Sequence, residues 1–371
     1  MLNKSIGILT FHRATNYGAL LQAYALQKVI ENMGHDVKIV DYRCGGVGQL
    51  FLSLEGPNFK VRFHRFLYNC LLLIQYPFRL RRRKVYTTFT DKYMKLSEAN
   101  FNLSDEKWGC FVMGSDQVWN ICLTGGFDKF YWGDFPVAKG TKKVGYAVSA
   151  SENLQESMNN EQCQKALHNF NAIGCRELEL LDIIKDKVTC PTSLVIDPTL
   201  LGGVNVFNEL VTAKYKKAKP YILIYQMNTS KNEEVLALAN NIAKERGWDV
   251  REIPSVLNYK KMLLQKGWNQ WTTPVEFVDL FRNAQFVITT SFHGVAFSLI
   301  FNKPFYQYSI NDKIDARADD LLRKVGLSGR KINSDSVINK DILMNIDWDV
   351  VNDLMDGLRQ KSLSFLKASI D

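Results

Sequence analysis

Apolar residues fall in short continuous runs, separated by stretches in which they recur every three or four positions. Residues 6–10 (IGILT) form the first run and read as a buried strand. A polar loop, His12 to Tyr17, leads into residues 18–33. There Leu21, Ala25, Val29 and Met33 share one helical face, with Leu26 and Ile30 beside them. Gly34 closes that helix, and residues 37–40 form the next strand. Strand, helix and strand within about forty residues make a βαβ unit, so the chain opens in a Rossmann-like way.

Further strands are predicted at 110–113, 144–148, 172–175 and 194–196. A second alternating series begins at 221–226 (YILIYQ). It continues with a helix at 233–246, a strand at 249–253, a helix at 275–283 and a strand at 286–290. A helix near His293 and a strand near Pro304 follow. The pattern predicts an α/β protein of two Rossmann-like domains, residues 1–205 and 206–345. A helix within 346–371 is expected to pack back across the boundary. A length of 371 residues agrees with two domains.

With 46% hydrophobic and 23% charged residues, a disordered or fibrous chain is excluded. Seven cysteines without a C-x-x-C pair indicate neither a disulfide framework nor a zinc site. The N-terminus lacks a secretory apolar segment, and no run reaches the length of a membrane span. A cytoplasmic protein is expected.

The net charge of +9 is concentrated in one place. Between Gly56 and Thr90 there is no acidic residue, while Lys60, Arg62, Arg65, Arg79, Arg81, Arg82, Arg83 and Lys84 are basic. Without these eight, 39 basic residues stand against 38 acidic ones. The apolar run 66–78 among them is too short to span a bilayer. Two readings stay open: docking on an anionic membrane surface, or an insertion helix whose arginines snorkel. No nucleic-acid module surrounds the stretch, so no nucleic-acid partner is expected.

Several loops at strand ends hold candidate chemistry. Asn16 and Gly18 follow the first strand, where ligands bind in open α/β sheets; Asn16 is equally suited to cap the helix. Gly114-Ser115-Asp116-Gln117-Val118-Trp119 places a carboxylate at a strand end, as a base or as a turn cap. Arg176 in Cys175-Arg176-Glu177 suits an anion, or a surface ion pair. In Thr290-Ser291-Phe292-His293-Gly294, Ser291 is a natural N-cap. His293 lies at a helix start, where it binds an anion, moves a proton or is structural. Asp197-Pro198-Thr199 reads as a structural turn, Arg317 as part of a solvated helix start, and Lys142 and Lys143 as solvated.

Together these motifs, spanning about residues 6–330, resemble the polysaccharide pyruvyl transferase family. The resemblance implies a GT-B-like pair of Rossmann-like domains facing a cleft. It also implies transfer of a pyruvyl group from phosphoenolpyruvate to two hydroxyls of a sugar, as a cyclic ketal with release of phosphate. Arg176 and His293 match the donor-binding arginine and histidine of the family. Ser291 stands where many members have an arginine, which Lys303 or Arg317 would have to replace.

The expected protein is a pyruvyltransferase of capsule or exopolysaccharide synthesis, using no cofactor and no metal. His293 and Asp116 are its expected catalytic residues, and Arg176, Ser291, Phe292, Asn16, Gly18 and Arg317 its substrate contacts. Its acceptor sugar is lipid-linked if residues 56–90 touch the inner membrane surface. A glycosyltransferase using a nucleotide-sugar is the alternative, and a non-catalytic binding protein a more distant one.

Overall fold

A computed structural model describes residues 4–45, 62–98, 101–212, 214–254, 271–310, 312–336 and 344–371. The chain forms two parallel sheets. The first contains β1 (Ser5–Leu9), β2 (Val37–Ile39), β3 (Trp108–Met113), β4 (Lys142–Val148), β5 (Ala172–Cys175) and β6 (Thr192–Leu194), in the order β2-β1-β3-β4-β5-β6. The second contains β7 (Tyr221–Gln226), β8 (Asp249–Pro254), β9 (Phe286–Thr289), β10 (Phe305–Tyr308) and β11 (Lys331–Ile332), in the order β11-β10-β9-β7-β8. Strands such as β1 and β7 are almost wholly buried, which is why they read as unbroken apolar runs.

The strand orders determine where a ligand can bind. From β1 the chain steps to β2 on one side and then crosses to β3 on the other. From β7 it steps to β8 and then crosses to β9. At each reversal the loops leave the carboxyl ends of neighbouring strands in opposite directions and open a crevice. The loops after β1 and β3 flank the first crevice, and those after β7 and β9 the second.

The helices used below are α1 (Tyr17–Asn32), α2 (Arg62–Tyr93), α3 (Leu178–Ile184), α4 (Pro198–Asn208), α5 (Asn232–Arg246), α6 (Pro274–Asn283), α7 (Phe292–Ile300), α8 (Asp312–Lys324) and α9 (Trp348–Ile370). One apolar core runs through both halves. Phe207 of α4 meets Tyr24 of α1 and Phe297 of α7, with ring centroids 6.3 and 4.8 Å away. Tyr17 stacks on Phe277 of α6 at 4.7 Å, and its hydroxyl donates to the Thr272 carbonyl at 2.7 Å. A smaller core, including Ile224, Val235 and Ile288, lies between α5 and the second sheet. Helix α9 returns to the first sheet, where the Ile196 amide donates to Ser362 Oγ at 3.1 Å.

Three local expectations change. β4 starts at Lys142, and Lys143 is not simply solvated. Its ammonium donates to the carbonyls of Gly133 and Phe135 at 2.7 and 2.6 Å, and burial lowers its pKa. β6 lies two residues earlier than predicted, because Val195 and Ile196 already lead into the turn at Asp197. β11 is only two residues long, too short to leave a periodic signal.

The basic stretch forms most of α2, with Pro77 inside the helix. Residues 56–61 lie outside the described residues, as do the side chains of 62–75. From Tyr76 onward the helix has two faces. Tyr86, Phe89 and Arg82 are buried, while Tyr76, Leu80, Arg81, Arg83 and Lys84 are exposed. Among the described residues, no helix is long and apolar enough to cross a membrane.

Candidate active site

Loops from both sheets meet around Arg176. It follows β5 directly and is buried among three carboxylates. Its Nη1 donates to Asp197 Oδ2 at 2.8 Å and its Nη2 to Asp116 Oδ1 at 3.4 Å, while its Nε lies 3.8 Å from Glu177 Oε1. Burial alone would lower the guanidinium pKa, but Glu177, Asp116 and Asp197 together hold it above the ordinary value. This cation stays charged.

Asp197 is the fixed centre of the group. It caps α4 through Oδ1, which accepts from the Thr199 amide at 2.9 Å and the Thr199 hydroxyl at 2.7 Å. Oδ2 is left for Arg176 and lies 3.7 Å from His293 Nε2. Burial would raise the carboxyl pKa, yet His293, Arg176 and the Thr199 amide hold it well below the usual carboxylate range. The same residue that reads in sequence as a structural turn therefore joins Arg176 to His293.

His293 enters from the second sheet, in the first turn of α7. Two glycines make its place. A β-carbon on Gly18 would lie 2.1 Å from His293 Nδ1, and one on Gly294 would lie 2.0 Å from Thr289 Oγ1. Neither position has room for a side chain. Ser291 occupies the N-cap position without a side-chain capping bond, while its amide donates to Thr289 Oγ1 at 3.1 Å. The positive end of α7 is thus not closed by its own cap, a setting that favours an anion.

Phe292 lies between two guanidiniums. Arg176 and Arg317 have their Cζ atoms 5.5 and 5.7 Å from its ring centroid. Arg317, expected to be solvated, is drawn into the cleft on α8. Burial, and then the neighbouring Arg176, lower its pKa. Among the described residues it has no hydrogen bond or ion pair, and its Nε is a buried donor without a partner. Lys303 lies past the far end of α7, where Arg282 is the charge it feels. Of Lys303 and Arg317, Arg317 is the one beside Phe292, the residue next to Ser291 in the chain.

In these loops and the first turn of α7, Arg176 Nε, His293 Nε2, Ser115 Oγ and Glu177 Oε2 are also buried without a hydrogen-bond partner. Unsatisfied groups are rare inside proteins, and a group of them in one crevice marks a place for a ligand. Backbone outliers gather at the ends of β3 and β4: Asp116 after β3, Ala147 near the end of β4 and Ser151 after it have φ of 75°, 50° and 51°. Such strain persists where the surroundings hold a functional geometry.

Asn16 caps α1, its Oδ1 accepting from the Ala19 amide at 3.2 Å, and its Nδ2 lies 3.9 Å from Met227 Sδ in the loop after β7. Gly18 is buried against the His293 ring. Asp116, Arg176, Phe292, His293 and Arg317 come together, joined by Asp197 and Glu177. Among the described residues, no group of three or more His, Cys, Asp or Glu is arranged to hold a metal ion.

The family model for polysaccharide pyruvyl transferase matches residues 16–311. The chain belongs to the polysaccharide pyruvyl transferase family. As a member it is a transferase. Solved structures similar in fold include S. aureus MnaA bound to UDP, with 13% identity, TM-score 0.48, and coverage of 97% of this chain and 91% of that one. The UDP-N-acetylglucosamine 2-epimerase of Rickettsia bellii has 12% identity, TM-score 0.46, and coverage of 100% and 98%. The glycosyltransferase SnogD of Streptomyces nogalater has 10% identity, TM-score 0.44, and coverage of 100% of both chains. No curated protein sequence matches the chain.

Proposed function

We propose that this crevice binds phosphoenolpyruvate and transfers its pyruvyl group to two hydroxyls of a sugar, as a ketal, during capsule or exopolysaccharide synthesis. The observation that carries the reading is a trio of buried nitrogens without a hydrogen-bond partner: Arg176 Nε, Arg317 Nε and His293 Nε2. They come from β5, α8 and α7, and so from both sheets. A small, highly charged anion with a carboxylate and a phosphate suits two guanidiniums and an imidazole better than a neutral sugar does.

In this reading Arg176 and Arg317 grip the donor's anionic groups on either side of Phe292. His293, as an imidazolium held beside Asp197, protonates the methylene carbon and makes C2 electrophilic. Asp116 accepts the proton of an attacking hydroxyl. Phosphate then leaves with the electron pair of the C2–O bond, and the second hydroxyl closes the ketal. Asn16 stands at the acceptor side, and Ser291 leaves open the space that an arginine would fill. We place the reaction in the cytoplasm, with the exposed face of α2 resting on the anionic inner membrane surface beside a lipid-linked acceptor.

The test is direct. Purified protein is incubated with phosphoenolpyruvate and UDP-linked or lipid-linked sugars, and phosphate release is followed together with the ketal methyl signal by NMR. Both are expected to appear. Their absence with every acceptor overturns the reading, and release of a nucleoside diphosphate instead would identify a glycosyltransferase.

A further inference from the structure

Glu177 occupies the N-cap of α3, but its side chain makes no capping hydrogen bond. It turns toward the crevice instead. Oε1 accepts from the Ser149 hydroxyl and lies 3.8 Å from Arg176 Nε, while Oε2 is buried with no hydrogen-bond partner. A buried carboxylate oxygen without a donor is costly, and a carboxylate kept for structure has both oxygens accepting hydrogen bonds.

Charge pairing accounts for one oxygen only: Oε1 faces Arg176 Nε, and Glu177 is the strongest of the charges that raise the Arg176 pKa, while Oε2 has no donor. Asp197 holds Arg176 at 2.8 Å, and Asp116 takes the other end of the guanidinium. With His293 counted beside Arg176 and Arg317, Asp116, Glu177 and Asp197 do not exceed the cations of the site, and what singles out Glu177 is its open oxygen. Of the three, Asp197 has both oxygens hydrogen-bonded, Oδ1 by Thr199 and Oδ2 by Arg176, with His293 Nε2 3.7 Å from Oδ2. Asp116 and Glu177 remain, one on each side of Arg176.

A ketal forms from two hydroxyls, and each must lose a proton. We propose that Glu177 is the second proton acceptor of the reaction, serving one acceptor hydroxyl while Asp116 serves the other. This rests on the pyruvyl-transfer reading. In the first addition a hydroxyl oxygen bonds to C2, its proton passes to Asp116, and the methylene carbon takes a proton from His293. The C2–O bond to phosphorus then breaks, with the electron pair leaving on phosphate. The second hydroxyl oxygen bonds to C2 and its proton passes to Glu177. Of the two protons taken up, one returns to His293 and one leaves on phosphate, so the site ends as it began.

The experiment compares wild type with Glu177→Gln, using phosphoenolpyruvate and the sugar from the acceptor panel that gives ketal. Two carboxylates that must both be ionised give log kcat a limiting slope of two on the acid side. The glutamine variant should keep a slope of one, with kcat lower by about 10²–10⁴-fold. Its Kd for phosphoenolpyruvate should be equal or tighter, because a negative charge has been removed. Glu177→Asp, which keeps the carboxylate, should be slower than wild type and keep the slope of two.

A glutamine variant within threefold of wild type, with the slope unchanged, overturns the proposal. Weaker phosphoenolpyruvate binding in step with the lost rate also overturns it, since that would make Glu177 a support for Arg176. A wild type that forms no ketal overturns the pyruvyl-transfer reading itself, a different and separately visible failure.

Discussion

Gly18 and His293, 275 positions apart in sequence, are in contact: a β-carbon on Gly18 would overlap the imidazole, 2.1 Å from Nδ1. The first turn of α1 is therefore the surface on which the ring lies, and Asp197 faces its other nitrogen. Gly18→Ala should displace the ring from its present place against α1 and Asp197 with little change in fold. A displacement of about 1 Å at a reacting group can cost on the order of 10²-fold in rate. The expected result is a kcat lower by at least that factor, with a thermal midpoint close to wild type. Normal activity in a folded Gly18→Ala protein would remove His293 from the chemistry.

Asp197 is expected to matter for stability as well as activity. Removing one partner of a buried ion pair leaves the other charge uncompensated, at a cost of about 3–5 kcal/mol. Asp197→Ala should lose up to that amount in urea unfolding, since Asp116 and Glu177 still face Arg176. The sign of the pH dependence follows from its depressed pKa. A carboxyl that is more acidic folded than unfolded stabilises the protein above its unfolded pKa, about 3.9. That contribution fades as pH falls from there toward the folded value. The stability gap between wild type and Asp197→Asn should therefore be full at pH 7 and narrow below about pH 4.

How far the sequence reveals this site depends on how local each signal is. Parallel strands buried on both faces leave apolar runs, so β1, β3, β4, β7 and β9 are legible. Asn16 likewise reads as a cap because capping needs only neighbouring residues. Asp197 is hidden by that same grammar: an Asp before Pro198 and Thr199 signals a helix start, and Oδ1 does cap α4. Nothing local shows that Oδ2 is committed elsewhere. Arg317 lies among Asp315, Asp319 and Asp320 and so resembles a solvated helix face. It becomes a site residue only through the packing of α8 beside Phe292. The contacts Gly18–His293 and Arg176–Asp197 likewise exist only once distant segments have folded together.

Arg317 separates binding from stability. A buried guanidinium without a hydrogen bond or close ion pair carries a desolvation cost, and its repulsion with Arg176 is opposed by attraction to Glu177, Asp116 and Asp197, so it contributes little to the fold. Arg317→Ala should be as stable as wild type or slightly more so. Its affinity for phosphoenolpyruvate should fall by about 10–100-fold, equivalent to roughly 1.4–2.8 kcal/mol. Calorimetric titration and thermal unfolding of the same sample check both. Weaker binding accompanied by lower stability would mean that Arg317 supports the structure and is not a donor contact.

The exposed face of α2 makes a prediction independent of the active site. Arg83 and Lys84 are exposed and have no ion pair among the described residues, and Leu80 lies one turn before Lys84 with 42% of its surface exposed. A basic residue near an anionic bilayer contributes about 1 kcal/mol, and short apolar side chains add to it. Wild type should sediment with vesicles containing phosphatidylglycerol, but not with phosphatidylcholine alone, and added salt should release it. Arg83→Glu with Lys84→Glu should weaken the association at least tenfold. Turnover with a water-soluble acceptor should be unchanged, because neither residue contacts the crevice. Equal binding to neutral and anionic vesicles, or no effect of the double charge reversal, would mean that α2 does not dock on a membrane through this face.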